Sequence, residues 1–396
     1  LNAWRKERRA NRKTRALPAR LELGSQLAVA EDIAFSRNFS AIGGRWFLNG
    51  AGGGRLWTRY LREQRSRFGH AQTEDALTRH FAEARDKAEL PSAAQGSLTD
   101  LPFVLDARNL FNYYHFMAET FCHLALLDDL PGHTGDILII GPDTAPKGFV
   151  TAFTEALFPD LAPRIRFPGT EQRFSRALTP FTPNFYLFQA PDALTASLRT
   201  ALPASKHWDW TYPAEPTRRT LKQNSTLRSQ ALLRARALRA IEGKDFRHLP
   251  RRFWFGRRSD GYRDRSIPKE DTIRDALHAR GFETLYFEDL TPLEQIAAIH
   301  RAEIAVSYHG AGFTNALYAG PDTHVIELGT VQSGTLRWAD FLSLSHASGC
   351  HYTLGICDGD VPLEGKRPSL RGTLHNVAIS DSGIAALLAH IDGLLA

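Results

Sequence analysis

His309, Gly310, Ala311, Gly312 and Asn315 lie between two apolar runs, Ile304-Ala305-Val306 and Val325-Ile326, and Glu327 directly follows the second. Each run reads as a buried strand. Between them the pattern is a strand, a Gly-x-Gly turn and a helix opening at Phe313. That order builds a backbone cradle for phosphate. Glycines let the main chain approach a ligand closely, and the N–H groups at a helix start attract an anion. Glu327 closes the second strand, where a carboxylate is placed for a ribose hydroxyl. A tight turn between two core elements would use the same glycines; the flanking His309, Asn315 and Glu327 favour a site.

A second set lies in the N-terminal half. Asn112, His115 and Glu119 are spaced i, i+3, i+7 on a helix predicted from Asn109 to Leu130, so they share a face. His123 continues the stripe. Polar groups on an apolar helix must be paired or must face a cleft. His115 has the chemistry of a general base, oriented by Glu119 or Asn112. A hydrogen-bonded core histidine, or a metal row through His115, Glu119 and His123, would place the same residues there.

Arg257 and Arg258 follow the apolar strand Arg252-Phe253-Trp254-Phe255. Adjacent arginines at a strand end can clamp a diphosphate with bidentate hydrogen bonds. Arg265 is a further candidate. Gln295, next to Glu294 at the start of the helix Pro292–Ala302, either contacts the ligand or lies on the helix surface. Asp358-Gly359-Asp360 has the form of a metal-binding acidic pair but reads as a turn in a glycine loop.

The elements that must position these residues alternate regularly after Pro250. A strand at 252–255 is followed by a helix from Pro268 to about Arg280. A strand at 283–287 and the helix at 292–302 lead into the central strand, the turn and the strand ending at Glu327. Helices over 336–348 and 384–395 close the chain. This is a doubly wound α/β pattern, with its crevice at the carboxyl ends of the strands.

Strands at 103–105, 136–140, 164–167 and 185–188, with a helix at 149–157, predict a parallel sheet in the preceding half as well. Pro213 to Ser225 reads as an interdomain linker, and Leu227 to Ile241 as an arginine-studded helix beyond it. Before Gly96 the signal is mixed: a strand at 46–48, a glycine-rich loop at 50–54 without the Lys-[Ser/Thr] of a P-loop, and a helix at 73–90. The expected division is 1–20, 21–225 and 226–396.

At 396 residues, two domains are expected. No apolar run is long enough to span a bilayer, and no secretory leader is visible. The chain begins at Leu1 rather than Met, as if its true start were missing. Three cysteines without a Cys-x-x-Cys pair indicate a reducing compartment. The net charge of +6 is concentrated in a basic arm, residues 1–20, with Arg5, Lys6, Arg8, Arg9, Arg12, Lys13 and Arg15. Such an arm is a solvated, disordered tail or a contact for acidic lipid headgroups or nucleic acid. No nucleic-acid-binding module accompanies it, so no nucleic-acid partner is expected.

Taken in order, these motifs resemble glycosyltransferase family 61, which includes bacterial capsular polysaccharide transferases. The residues that carry the resemblance are Asn112-Tyr113-Tyr114-His115, Arg257-Arg258, Gly281-Phe282-Glu283, Glu294-Gln295, His309 to Asn315, Pro321 and Val325-Ile326-Glu327. The resemblance implies a GT-B-like fold, two Rossmann-like domains facing a cleft. It implies inverting transfer from a nucleotide sugar, usually a UDP-sugar, to a glycan acceptor. Neither a cofactor nor an essential metal is expected. On this reading the C-terminal domain holds the donor. His309, Gly310, Ala311, Gly312 and Asn315 meet the diphosphate, Arg257 or Arg258 neutralises it, and Glu327 lies at the ribose. The N-terminal domain holds the acceptor, with Asn112 on that side, His115 as base and Glu119 second. The final helix would cross back to the N-terminal domain. A bacterial surface polysaccharide, made at the cytoplasmic face of the inner membrane with the basic arm as a peripheral contact, is the expected setting.

A non-catalytic nucleotide-sugar or polysaccharide binding protein would keep the same cradle. A serine hydrolase is disfavoured because no Gly-x-Ser-x-Gly elbow occurs. A dinucleotide oxidoreductase would carry a third glycine where this turn has Asn315.

Overall fold

The computed structural model describes residues 25–36, 40–47, 97–181, 227–256, 268–330, 339–359 and 377–396. The basic arm, the glycine-rich loop at 50–54, the helix expected at 73–90, the strand at 185–188, the linker at 213–225, Arg257, Arg258, Arg265 and Asp360 lie outside them. The described residues fall into two compact units that divide between Ala240 and Ile241.

In the first unit the strands are β1 (Gln26–Phe35), β2 (Ser40–Ile42), β3 (Arg45–Phe47), β4 (Phe103–Asp106), β5 (Ile137–Ile140), β6 (Ile165–Arg166) and β7 (Gln172–Phe181). They form one sheet in the order β3-β2-β1-β7-β4-β5-β6. β7, β4, β5 and β6 run parallel, and β1 and its hairpin partners extend the sheet antiparallel. All four residues of β4 are buried, as expected of a central parallel strand covered on both faces.

Two helices, α1 (Tyr113–Glu119) and α2 (Gly148–Leu157), accompany these strands. The sequence predicts one helix from Asn109 to Leu130; the structure divides it. α1 ends at Thr120, and a 3-10 helix follows over Phe121–Asp129. The break has a tertiary cause, since the Thr120 hydroxyl donates to the carbonyl of Asp106 at 3.2 Å. The face shared by Asn112, His115, Glu119 and His123 is broken with it.

α3 (Leu227–Ile241) is expected at the start of the C-terminal domain, but its bonds are made with the first unit. Ser229 meets Ser25 at 2.6 Å and His123 Nδ1 at 2.8 Å. Arg236 donates to Asp128 at 2.6 Å and to the carbonyl of Leu157 at 2.6 Å, and it also pairs with Asp160. The arginines that stud this helix are therefore partly spent on the acidic rim of that unit.

The second unit contains β8 (Arg252–Gly256), α4 (Glu270–His278), β9 (Glu283–Tyr286), α5 (Pro292–Arg301), β10 (Ile304–Tyr308), β11 (His324–Thr330), α6 (Ala339–Ser348), β12 (His351–Gly359), β13 (Val377–Ala378) and α7 (Asp381–Leu395). Its sheet order is β13-β12-β11-β10-β8-β9, parallel except for β13. Asp358-Gly359, read from sequence as a turn, is instead the paired end of β12 opposite Val377-Ala378.

α5 begins with a full capping box, in which Thr291 and Glu294 satisfy each other's backbone N–H groups. α7 stays with this unit. Ile384, Leu387 and Ile391 pack into one buried cluster with Trp254, Ile273, Leu277, Ile304, Val306 and Ile326. Asp392 accepts from Arg280 at 2.6 Å. Among the described residues no helix is long and apolar enough to cross a membrane.

Candidate functional site

Both sheets reverse their winding direction at one place. In the second unit β9 lies on one side of β8 while β10, β11 and β12 continue on the other, so the switch falls between β8 and β10. In the first unit β5 and β6 lie on one side of β4 and β7 on the other. Ligands of open α/β sheets bind outside the carboxyl ends of the strands at such points. The residues singled out from sequence lie just beyond β10 and β4.

β10 runs into His309 and Gly310, and a 3-10 helix follows over Ala311–Tyr318. It opens at Ala311, two residues earlier than the sequence suggests. The strand end is held by Ser307, whose hydroxyl donates to the carbonyl of Phe255 on β8 at 2.5 Å, and by the His309 N–H on the carbonyl of Leu328 at 2.8 Å. The two glycines serve different purposes. A Cβ at Gly312 would lie 3.1 Å from the ring of Phe255, which would have to give by a few tenths of an ångström, so this glycine suits the close packing. A Cβ at Gly310 would meet only the carbonyl of Tyr308, at an ordinary 3.6 Å. Among the described residues, the side of the turn at Gly310 is thus open to an approaching group. Neither glycine has a positive φ.

His309 and Glu327 are brought together. Parallel pairing places Ser307 opposite Glu327 and Tyr308 opposite Leu328. Because strand residues alternate between faces, His309 extends on the same face as Glu327. His309 Nδ1 is hydrogen-bonded to Glu327 Oε1, and the side chains are only 10% and 3% exposed. The other carboxylate oxygen accepts from the hydroxyl of Tyr352 on β12. Burial, and then the Glu327 charge, push the Tyr352 phenol well above its usual range, so it remains a donor. Phe341 of α6 packs on the His309 ring at 5.3 Å.

The sequence reading offers Glu327 to a ribose; the structure gives both of its oxygens protein partners. Asn315, read as a diphosphate ligand, is 1% exposed and its amide donates to Gln295 Oε1 at 3.4 Å. Gln295 in turn donates to the carbonyls of Phe287 and Leu290 at 2.9 and 3.2 Å. These two amides brace the turn from behind. Tyr352 is the residue that sequence reasoning missed. Its strand was not predicted, and nothing local links it to Glu327.

In the first unit β4 leads through a braced loop into α1. The Leu110 N–H donates to Asp143 at 3.0 Å, and the Asn112 N–H donates to Asn109 Oδ1 at 2.9 Å. Asn112 is the N-cap of α1, accepting from the His115 N–H at 3.2 Å. His115 Nδ1 lies 3.2 Å from Glu119 Oε2, with side-chain exposures of 23% and 9%. The imidazole therefore has a buried carboxylate behind it and an accessible edge, as a proton acceptor requires. His123 does not join this pair. It is 3% exposed, bonded to Ser229, and burial lowers its pKa to about 4.

No curated protein matches the chain. Residues 113–326, more than half of its length, match the Glycosyltransferase 61 family. This span runs from the first residue of α1 through the glycine turn to the middle of β11. The chain belongs to glycosyltransferase family 61 and is a glycosyltransferase.

Proposed function

We propose that the chain transfers a sugar, with inversion, from a nucleotide sugar to a glycan acceptor in bacterial surface polysaccharide synthesis. A UDP-sugar is the preferred donor class. The observation that carries this reading is the turn His309–Gly312. It lies at the switch point of a parallel sheet, with an approach at Gly310 that is open among the described residues and a histidine held beside it by a buried carboxylate.

The donor diphosphate sits against His309, Gly310, Ala311 and Gly312. Arg257 and Arg258, which directly follow β8 in the chain, supply positive charge to it. Asn315 and Glu327 act from behind, by holding the turn and the imidazole. The acceptor belongs to the N-terminal unit. As its oxygen bonds to the anomeric carbon, its proton passes to His115, whose imidazolium is stabilised by Glu119. The bond from that carbon to the diphosphate breaks, and the developing negative charge is met by fixed donors rather than by reorganising water. No divalent metal is needed in this scheme. The basic arm would hold the enzyme at the cytoplasmic face of the inner membrane.

Thermal unfolding against a panel of nucleotides and nucleotide sugars, with EDTA present, tests the reading. A ligand at a hundred times its Kd stabilises by about 2.7 kcal/mol, a readily visible shift. A shift that persists in EDTA and shrinks in Arg257→Ala and His309→Ala is expected. Absence of a shift with every nucleotide, on folded protein, would contradict it.

A further inference from the structure

Glu327 is almost fully buried in the middle of a central strand, β11, and its two oxygens face two different strands. One meets His309, just beyond β10, and the other meets Tyr352 on β12. Parallel register explains the reach. Tyr352 lies opposite Val325 and Leu354 opposite Glu327, so Tyr352 is one same-face step behind the glutamate, and its long side chain spans that step.

We infer that Tyr352 is a positioning residue for the transfer reaction, acting through Glu327 to fix the orientation and tautomer of His309. The inference rests on the donor site proposed above. Tyrosine held in its phenol form can only donate to Glu327, and an ionised carboxylate only accepts. The proton shared with Glu327 Oε1 is therefore that of His309 Nδ1. Among the described residues the ring's second nitrogen, Nε2, has no hydrogen-bond partner, which leaves it for the ligand, and in the protonated ring it carries an N–H for a departing diphosphate oxygen. Asp340 of α6 and Cys350 are the other titratable groups whose charge bears on Tyr352. Phe341 closes one face of the imidazole, which limits the ring to few orientations. Tyr352 lies beyond the residues matched by the family, so this chain adds to the site from outside that span.

Two readouts test the inference, one with substrate and one without. In sugar-transfer kinetics, Tyr352→Phe keeps the ring and removes one hydrogen bond to a charged group. About a tenfold loss in kcat is expected, with donor KM changed less than about threefold. In His309→Ala the further change Tyr352→Phe should cost nothing, because the tyrosine acts only through that ring. A full additional loss in the double variant, or unchanged kcat in Tyr352→Phe, would overturn the inference.

The second readout is the downfield Nδ1–H proton resonance, identified by its disappearance in His309→Ala. Glu327→Gln should abolish it and Tyr352→Phe should shift or broaden it. No such resonance in the native protein, or one indifferent to Tyr352→Phe, would refute the relay whether or not a nucleotide binds. Failure of every nucleotide to bind, with the resonance behaving as stated, would remove the proposed function and leave the relay standing.

Discussion

Each unit places a histidine against a carboxylate near the switch point of its sheet, and the two pairs are built differently. His115 and Glu119 are one helical turn apart, 3.2 Å between Nδ1 and Oε2, with the imidazole 23% exposed. His309 and Glu327 come from two strands, are 10% and 3% exposed, and the glutamate is held by a third strand through Tyr352. The first arrangement leaves a ring with room to exchange a proton. The second holds a ring still. On the proposed reading, inverting transfer uses a mobile proton at the acceptor and a fixed donor at the leaving group, and the first pair suits the one task and the second the other.

Breaking the first pair should have the largest effect. His115→Ala should lower kcat by roughly 10^2–10^4-fold, the usual range for a general base. The thermal shift given by nucleotide should stay intact. Steady-state transfer and thermal unfolding on the same sample would show whether the loss is confined to chemistry.

His123 sharpens the contrast, because it is a histidine of the first unit that burial holds neutral. Its folded pKa of about 4 lies below the ordinary 6.5. The unfolded chain therefore binds the proton first as pH falls. The stability this group contributes is complete above pH 6.5, declines below it and is gone near pH 4, a loss of about 3 kcal/mol. His133 and His324 are also lowered and act in the same direction. The measurement is accordingly a difference: urea unfolding of His123→Gln should vary less between pH 7 and pH 4 than that of the native chain.

Breaking the second pair should show in binding. His309→Ala removes the imidazole beside the glycine turn and should weaken nucleotide diphosphate affinity by roughly tenfold to a hundredfold. Isothermal titration would give the ratio. The smallest effect expected is that of Asn112→Ala, which removes the cap of α1 at a cost of about 1 kcal/mol. Denaturant titration should show that loss, and kcat should fall far less than in His115→Ala.

What could be read from the sequence follows from how local each signal is. The His115–Glu119 pair was legible because a helix turn fixes it within a few residues. β10, the turn and β11 were legible because apolar runs and glycines mark them. β1 was not. Its run Gln26–Phe35 is rich in alanine and carries Glu31 and Asp32 in its middle. In the structure both charges stay exposed at least in part, and β7 supplies partners for them: Arg176, opposite Glu31, at 3.0 Å and Arg173, opposite Ala34, reaching Asp32 at 2.7 Å. The break in α1 was equally hidden, since it depends on Thr120 finding a carbonyl of β4. The protein partners of Asn315 and Glu327 were hidden for the same reason. Their types suit a ligand, but Gln295 and Tyr352, which claim them, come from other elements.

The central claim is that the glycine turn of the second unit receives the donor's diphosphate. It is tested most directly by titrating amide-labelled protein with UDP and mapping the resonances that move. The account predicts the largest changes at the amides of Gly310, Ala311 and Gly312, reduced in His309→Ala. Changes centred elsewhere, with these three amides still at saturation, would contradict it.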